Sequence, residues 1–228
     1  MNLQFAQHRP ASEAMNGIWL RNSLELCVDK LMTSFPRPAQ LSSIERCGII
    51  ARYGEVLEWN FIYWMTACFL AANSDTARAI IRENLLEEVR DCHPGMLRKF
   101  VCAAGVTLND AHIAVVEPNL TKVRLFVSHL LPTPMIAMMA FFEMFIQRFM
   151  PMLAELAALQ DSVEREYTDV HGTCDVIHSQ ELVRALEAEI AFEAPSHNAY
   201  ASLLDGVYLL RALIRDIVFG PGNCEAGN

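Results

Sequence analysis

The amino-acid sequence predicts an all-α protein, and three observations carry that prediction. Apolar residues recur at helical three-and-four spacing through long stretches of the 228-residue chain. Its 10 glycines and 10 prolines fall mostly between those stretches. Nowhere does apolar–polar alternation run long enough to build a sheet.

The elements follow in order. A first helix is expected from about Gly17 to Ser34, stopped by Pro36-Arg37-Pro38. Ser42 or Ser43 caps a long second helix reaching about Ala72. Ser74 or Asp75 caps a third, with Glu83, Glu87 and Glu88 along it. His93-Pro94-Gly95 marks a break, because proline disfavours helix at the residue before it; a short helix then runs to about Ala104. Asn109 or Asp110 caps another short element, and Asn119 starts a separate segment ending near Leu131. Pro132-Thr133-Pro134 punctuates the chain. Met135 to about Leu159 reads as a long apolar helix with an irregularity at Pro151. A more polar helix follows from about Val163 to Ala191, weakened locally by Gly172. The last helix spans Ser196 to Phe219, with Leu203, Val207, Leu210, Leu213 and Ile214 on its apolar face. Residues 220–228 read as a frayed tail. With no repeat and no low-complexity linker, the chain reads as one helical domain over 1–228, its core about 17–219.

Composition narrows the function. Apolar residues make up 53% and charged residues 20%, enough for a sizeable core. A net charge of −9 speaks against a nucleic-acid partner and against docking on an anionic membrane. Met1 to Pro10 lacks the apolar core of a signal peptide. The most apolar runs, Phe61–Ala72 and Met135–Ile146, are shorter than the roughly 20 residues that span a bilayer, and they read as buried helices. Seven cysteines, with no Cys-x-x-Cys pair, suit reduced thiols in a cytoplasmic protein.

Three segments carry chemistry. The first is His171-Gly172-Thr173-Cys174-Asp175-Val176-Ile177-His178, a His-x3-Asp-x2-His pattern. Positions i, i+4 and i+7 share one helix face, so two imidazoles and a carboxylate converge. That mixed donor set suits iron or manganese; the bland alternative is a solvated polar face. The second is Glu143, the only ionisable residue in Met135–Ile146. A carboxylate among apolar neighbours is costly unless it is paired or binds a metal; pairing with an arginine is the alternative. The third is Glu87-Glu88-Val89-Arg90-Asp91-Cys92-His93, carboxylates one to two turns before a histidine, which also reads as an ordinary acidic surface. Helix bundles build di-iron centres from Glu and His on facing helices. The ferritin-like version uses Glu-x-x-His, which occurs nowhere in this chain.

The order and spacing of these motifs resemble the haem-oxygenase-like di-iron oxidases and oxygenases. That family shares a seven-helix bundle with thiaminase-type and pyrroloquinoline-quinone-synthase-type proteins. Asn84-Leu85-Leu86-Glu87-Glu88 resembles its Asn-Leu-x-Glu-Glu segment. His93 resembles the histidine after it, Glu143 the central bridging carboxylate, and His171, Asp175 and His178 the closing set. The resemblance covers roughly residues 43–218. It implies two Fe(II) ions held by Glu88, His93, Glu143, His171, Asp175 and His178, with O2 as co-substrate. One departure is that Glu88 lies only five residues before His93, which leaves Glu83 and Glu87 beside the favoured Glu88. Some members add a Glu from the preceding helix, for which Glu58 or Glu55 stands here. The resemblance further implies a labile closing-motif helix, which Gly172 would suit. It implies a small organic substrate, often an amino acid, amine or fatty acid in natural-product biosynthesis. Oxidative decarboxylation, C–C or C–N cleavage, desaturation or N-oxygenation would be the outcome. An external electron donor and a homodimer are compatible with it.

Rival readings are a haem-binding or cofactorless relative, a thiaminase-like hydrolase and a non-catalytic helical module. Cys174 would be the hydrolase's nucleophile; at i+3 from His171 it is expected on a neighbouring part of the helix face. For substrate, Tyr167 lies one turn before His171, and Lys122 and Arg124 are candidates to receive a carboxylate. The alternative for both cations is a solvated surface position. The 11 methionines and 12 phenylalanines suit an adaptable apolar pocket wall, or simply a core.

Overall fold

A computed structural model describes residues 17–192 and 202–220, and among them every regular element is helical. Eight α-helices follow one another: α1 Gly17–Thr33, α2 Ser43–Ala71, α3 Asp75–Arg90, α4 His93–Ala103, α5 Asp110–Ser128, α6 Pro132–Ala158, α7 Glu166–Phe192 and α8 Asp205–Phe219. A single 3-10 turn, Pro38–Gln40, lies between α1 and α2. The bundle has the all-α, haem-oxygenase-like architecture expected of the sequence.

Local chemistry sets the helix starts. At α2 the Ser42 hydroxyl accepts from the Glu45 amide while the Glu45 carboxylate accepts from the Ser42 amide, a reciprocal capping box. The Ser74 hydroxyl caps α3. A second cap reaches α3 from far along the chain. The fully buried Glu189 carboxylate of α7 accepts from the Asn73 and Ser74 amides, each at 2.9 Å. Two charge-assisted bonds to orphan N–H groups pin the start of α3 to α7. Between α3 and α4 the chain turns within two residues, and Cys92 adopts a left-handed conformation (φ 55°, ψ 43°). That turn puts Pro94 in the first turn of α4, where its missing N–H costs nothing.

Two expected helix boundaries change. The elements expected to meet near Asn119 are one helix, α5, with Pro118 inside it. Likewise α6 begins at Pro132 rather than Met135; it runs on through Pro151 to Ala158, as expected. Prolines 132 and 134 occupy the first turn, where proline is tolerated. Pro118 and Pro151 are both exposed, as is Ala114, whose carbonyl loses its helical partner to Pro118 and faces water instead. The helix expected from Val163 starts at Glu166. The expected start of the last helix at Ser196 and the tail beyond Gly220 lie outside the described residues. The apolar face expected there, from Leu203 to Ile214, is buried.

The core is organised around two helices. α6 packs against α1, α2, α7 and α8, most extensively against α7; α2 packs against α3, α4, α5, α6 and α8. Phe35, in the connection after α1, meets Phe145, Phe149 and Phe219 edge-on, at 6.0–6.3 Å between ring centres. Where α8 crosses α5 and α6, a side chain on Gly206 would lie 2.6 Å from the Phe126 ring and 3.0 Å from Met138 Cβ, so only glycine permits that approach. Among the described residues α6 alone is long and apolar enough to cross a bilayer. Its most apolar window is 83% buried by the rest of the bundle, as befits a core helix.

Candidate metal centre

α3, the start of α4, α6 and α7 each bring side chains to one place inside the bundle. From α3 comes Glu88. Among the three α3 candidates, Glu83 is 62% exposed and paired with Arg82, Glu87 is 45% exposed, and Glu88 is 4% exposed. The α3–α4 turn swings buried His93 back so that its Nδ1 lies 2.7 Å from Glu88 Oε1. From α7 comes His171, its ring centre 4.5 Å from that of His93. The donor atoms of Glu88, His93 and His171 all lie within 4.8 Å of one another. One turn further along α7, Cys174, Asp175 and His178 form a second group within the same limit. Glu143 of α6 is close enough that the charges of Asp175 and Glu88 push its carboxyl pKa up.

Two hydrogen bonds set which histidine nitrogens are free. His171 Nδ1 lies 2.9 Å from the Tyr167 carbonyl, which only accepts. Nδ1 therefore carries the proton and Nε2 keeps its lone pair. His178 Nε2 lies 2.8 Å from the Glu87 carboxylate, which leaves the Nδ1 lone pair facing inward. Carboxylate or carbonyl partners of this kind orient metal-binding imidazoles.

The electrostatics call for a cation. Glu88, Glu143 and Asp175 are all buried, and no lysine or arginine pairs with any of them among the described residues. Burial is the main reason the Glu143 carboxyl lies well above the usual range, with the Asp175 and Glu88 charges adding to it. Burial likewise raises Asp175; the Cys174 thiol opposes this and Glu88 adds to it. Burial pushes the His171 imidazole down to about 4, so it is neutral at physiological pH. At His93 burial pulls downward, but the hydrogen bond and charge of Glu88, with Asp91 and Glu87, carry the imidazole pKa upward. Glu143 Oε1, Asp175 Oδ2 and His178 Nδ1 are buried without any hydrogen-bond partner. Orphaned atoms of this kind, all of them metal donors, fit divalent metal and would be costly without it. Imidazole plus carboxylate is a donor set that iron accepts.

The remaining candidates sit elsewhere. Glu58 of α2 pairs with Arg98 at 2.7 Å. Glu55 is half-buried and belongs to neither donor group. Lys122 and Arg124 stand on the exposed side of α5. Lys122 donates to Asn119 and Arg124 to Asn60, and neither borders the cavity beside the centre. Tyr167 does border it, together with Glu88, His93 and His171 on the polar side and Leu57, Phe61, Leu97 and Ile146 on the apolar side. The Tyr167 ring packs 4.2 Å from His171, and its hydroxyl shares a 2.8 Å hydrogen bond with Tyr53. Tyr53 carried no sequence signal, because it lies on the apolar face of a core helix. Cys174 joins the Asp175–His178 group rather than pointing aside: its thiol donates to Asp175 Oδ1 at 3.2 Å. Burial and the neighbouring carboxylates raise that thiol's pKa, the opposite of what a nucleophilic cysteine needs.

An all-helical bundle whose interior holds two adjoining groups of imidazole and carboxylate donors is a bundle built to hold metal. The chain belongs to the family of iron-containing redox enzymes, whose family model matches residues 55–206, a stretch that holds every donor named above. Iron is therefore the metal of this fold and redox chemistry its general function. A search among curated proteins gives no match.

Proposed function

We propose that the protein is a non-haem di-iron, O2-dependent oxidase or oxygenase acting on a small amino-acid-like substrate. The observation that supports this best is the pair of adjoining donor groups, with Glu143 buried beside both. One iron would be held by Glu88, His93 and His171, the other by Asp175 and His178, with Glu143 between them. Bound iron supplies the electrons that activate dioxygen.

The chain's own residues supply the rest. The Tyr167 carbonyl and the Glu87 carboxylate hold His171 and His178 in the orientation that leaves a ring nitrogen free. Leu57, Phe61, Leu97 and Ile146 give the cavity an apolar wall. That cavity offers only 20 Å³ to the centre of a water-sized molecule, room for a water or a dioxygen. A larger substrate enters by displacing apolar side chains such as Phe61 and Leu97. With no lysine or arginine in the cavity wall, the reacting part of the substrate meets apolar side chains, the Tyr167 ring and the metal donors.

Anaerobic titration with Fe(II), followed by rapid mixing with O2 and visible spectroscopy, tests the proposal. About two irons per chain and a transient absorption band are expected. Failure to take up iron, or saturation at one, would overturn the di-iron reading.

A further inference from the structure

Cys174 has no part in the set of six ligands that the sequence motifs suggest, yet it occupies the same stripe of α7. Residues 171, 174, 175 and 178 follow one another at three- and four-residue steps, which places all four on one helix face. The sulfur is half-buried, and its proton is directed at Asp175 Oδ1, 3.2 Å away. A thiol-to-carboxylate hydrogen bond alone would make this an ordinary packed cysteine.

Two further atoms argue otherwise. Asp175 Oδ2 and His178 Nδ1 are buried with no hydrogen-bond partner, on residues 0% and 2% exposed. His178 Nδ1 lies 3.8 Å from Asp175 Oδ1, and Glu87 on the far nitrogen leaves the Nδ1 lone pair free. A sulfur, a carboxylate and an imidazole, all within 4.8 Å of one another, surround a point that needs a cation. The group formed by Glu88, His93 and His171 contains no sulfur.

We infer that Cys174 is itself a ligand of the metal ion held by Asp175 and His178. The two metal positions are therefore chemically unlike, one with nitrogen and oxygen donors only, the other with a thiolate added. On binding, the Sγ–H bond breaks heterolytically, the proton leaves to solvent and the sulfur electron pair goes to the metal; nothing is oxidised or reduced. A thiolate softens the second position and favours metals that accept sulfur, such as zinc or cobalt, over manganese or magnesium. This inference rests on the two-metal reading above.

The experiment is a Co(II) titration of the full chain, stripped with chelator and kept anaerobic and reduced, followed by absorption. Cobalt bound by a thiolate shows an intense near-ultraviolet charge-transfer band that oxygen and nitrogen ligands do not produce. The expected result is two cobalt ions per chain, with that band growing in alongside one of them. Cys174→Ser should lose the band and keep the visible cobalt bands of the other position, while Cys92→Ser, the exposed cysteine next to His93, should keep it. Circular dichroism of each variant checks that the bundle is intact, and Cys174→Ala serves as a second variant. Two cobalt ions without the band, or a band that survives Cys174→Ser, would overturn the inference and leave the two-metal reading standing. One cobalt with a Cys174-dependent band would support the inference and overturn the two-metal reading. No cobalt uptake would overturn both.

Discussion

A carboxylate inside an apolar helix costs several kcal/mol unless a cation or a proton neutralises it. Glu143 is 1% exposed and has only Asp175 and Glu88, carboxylates themselves, as charged influences on it. Glu143→Ala and His171→Ala should each hold no more than one iron per chain and lose O2-dependent turnover, measured by metal analysis and oxygen consumption. Glu87 gives a subtler prediction. Because its carboxylate orients His178 from outside, Glu87→Ala should weaken metal affinity by about 10–100-fold without removing a binding position. Loss of a whole equivalent of metal would make Glu87 a ligand. At this scale the sequence displays what is periodic or out of place. His171, Asp175 and His178 are visible as a face, and Glu143 as the lone charge in an apolar run. Helical spacing alone does not choose among Glu83, Glu87 and Glu88, because that depends on which side of α3 meets α7; only the motif resemblance favoured Glu88. The Glu87–His178 contact joins residues 91 positions apart, which no local pattern announces.

At the scale of elements, α7 is the organising helix of the site. It supplies His171, Asp175 and His178, and its Glu189 caps α3, the helix that supplies Glu88. Its other end is tied to α4 through Lys99, which bridges Glu164 and Glu166. Removing the buried cap leaves the Asn73 and Ser74 N–H groups, at the entry to α3, without partners. Glu189→Ala should therefore cost about 2–4 kcal/mol of stability by chemical denaturation, and Glu189→Gln less. The centre's metal affinity should fall with it, since α3 carries Glu88. Helix limits were largely readable from caps and punctuation: of the paired candidates, Ser42 rather than Ser43, Ser74 rather than Asp75 and Asn109 rather than Asp110 are the caps. Pro132 misled, because sequence alone does not show whether a proline ends one element or sits in the first turn of the next, while the passage of α6 through Pro151 was expected.

Across the whole molecule, binding and folding are linked. A metal that joins α3, α4, α6 and α7 binds the native bundle and not the unfolded chain, so it stabilises by mass action. At a free metal concentration about 100 times Kd the gain is about 2.7 kcal/mol. Thermal unfolding should shift upward with Fe(II) or Co(II) under anaerobic conditions and return on adding chelator. A midpoint indifferent to metal would argue against a buried centre. The all-α architecture was evident from periodicity, while the exact partition into eight helices was not. The break expected at His93-Pro94-Gly95 falls two residues earlier, at Asp91-Cys92, and that placement and the merging of α5 depend on backbone geometry that composition does not encode.

α6 bears on the birth of the protein as well as on its folded form. As the chain is synthesised, this long apolar helix leaves the ribosome before α7, the helix that covers it most. At about 5–20 residues per second, α7 is complete only some seconds later. For that interval α6 exposes apolar surface over a length that would span a bilayer. An acidic residue near its middle opposes insertion into lipid. Glu143 thus makes α6 a poorer bilayer segment than its apolar neighbours alone would make it.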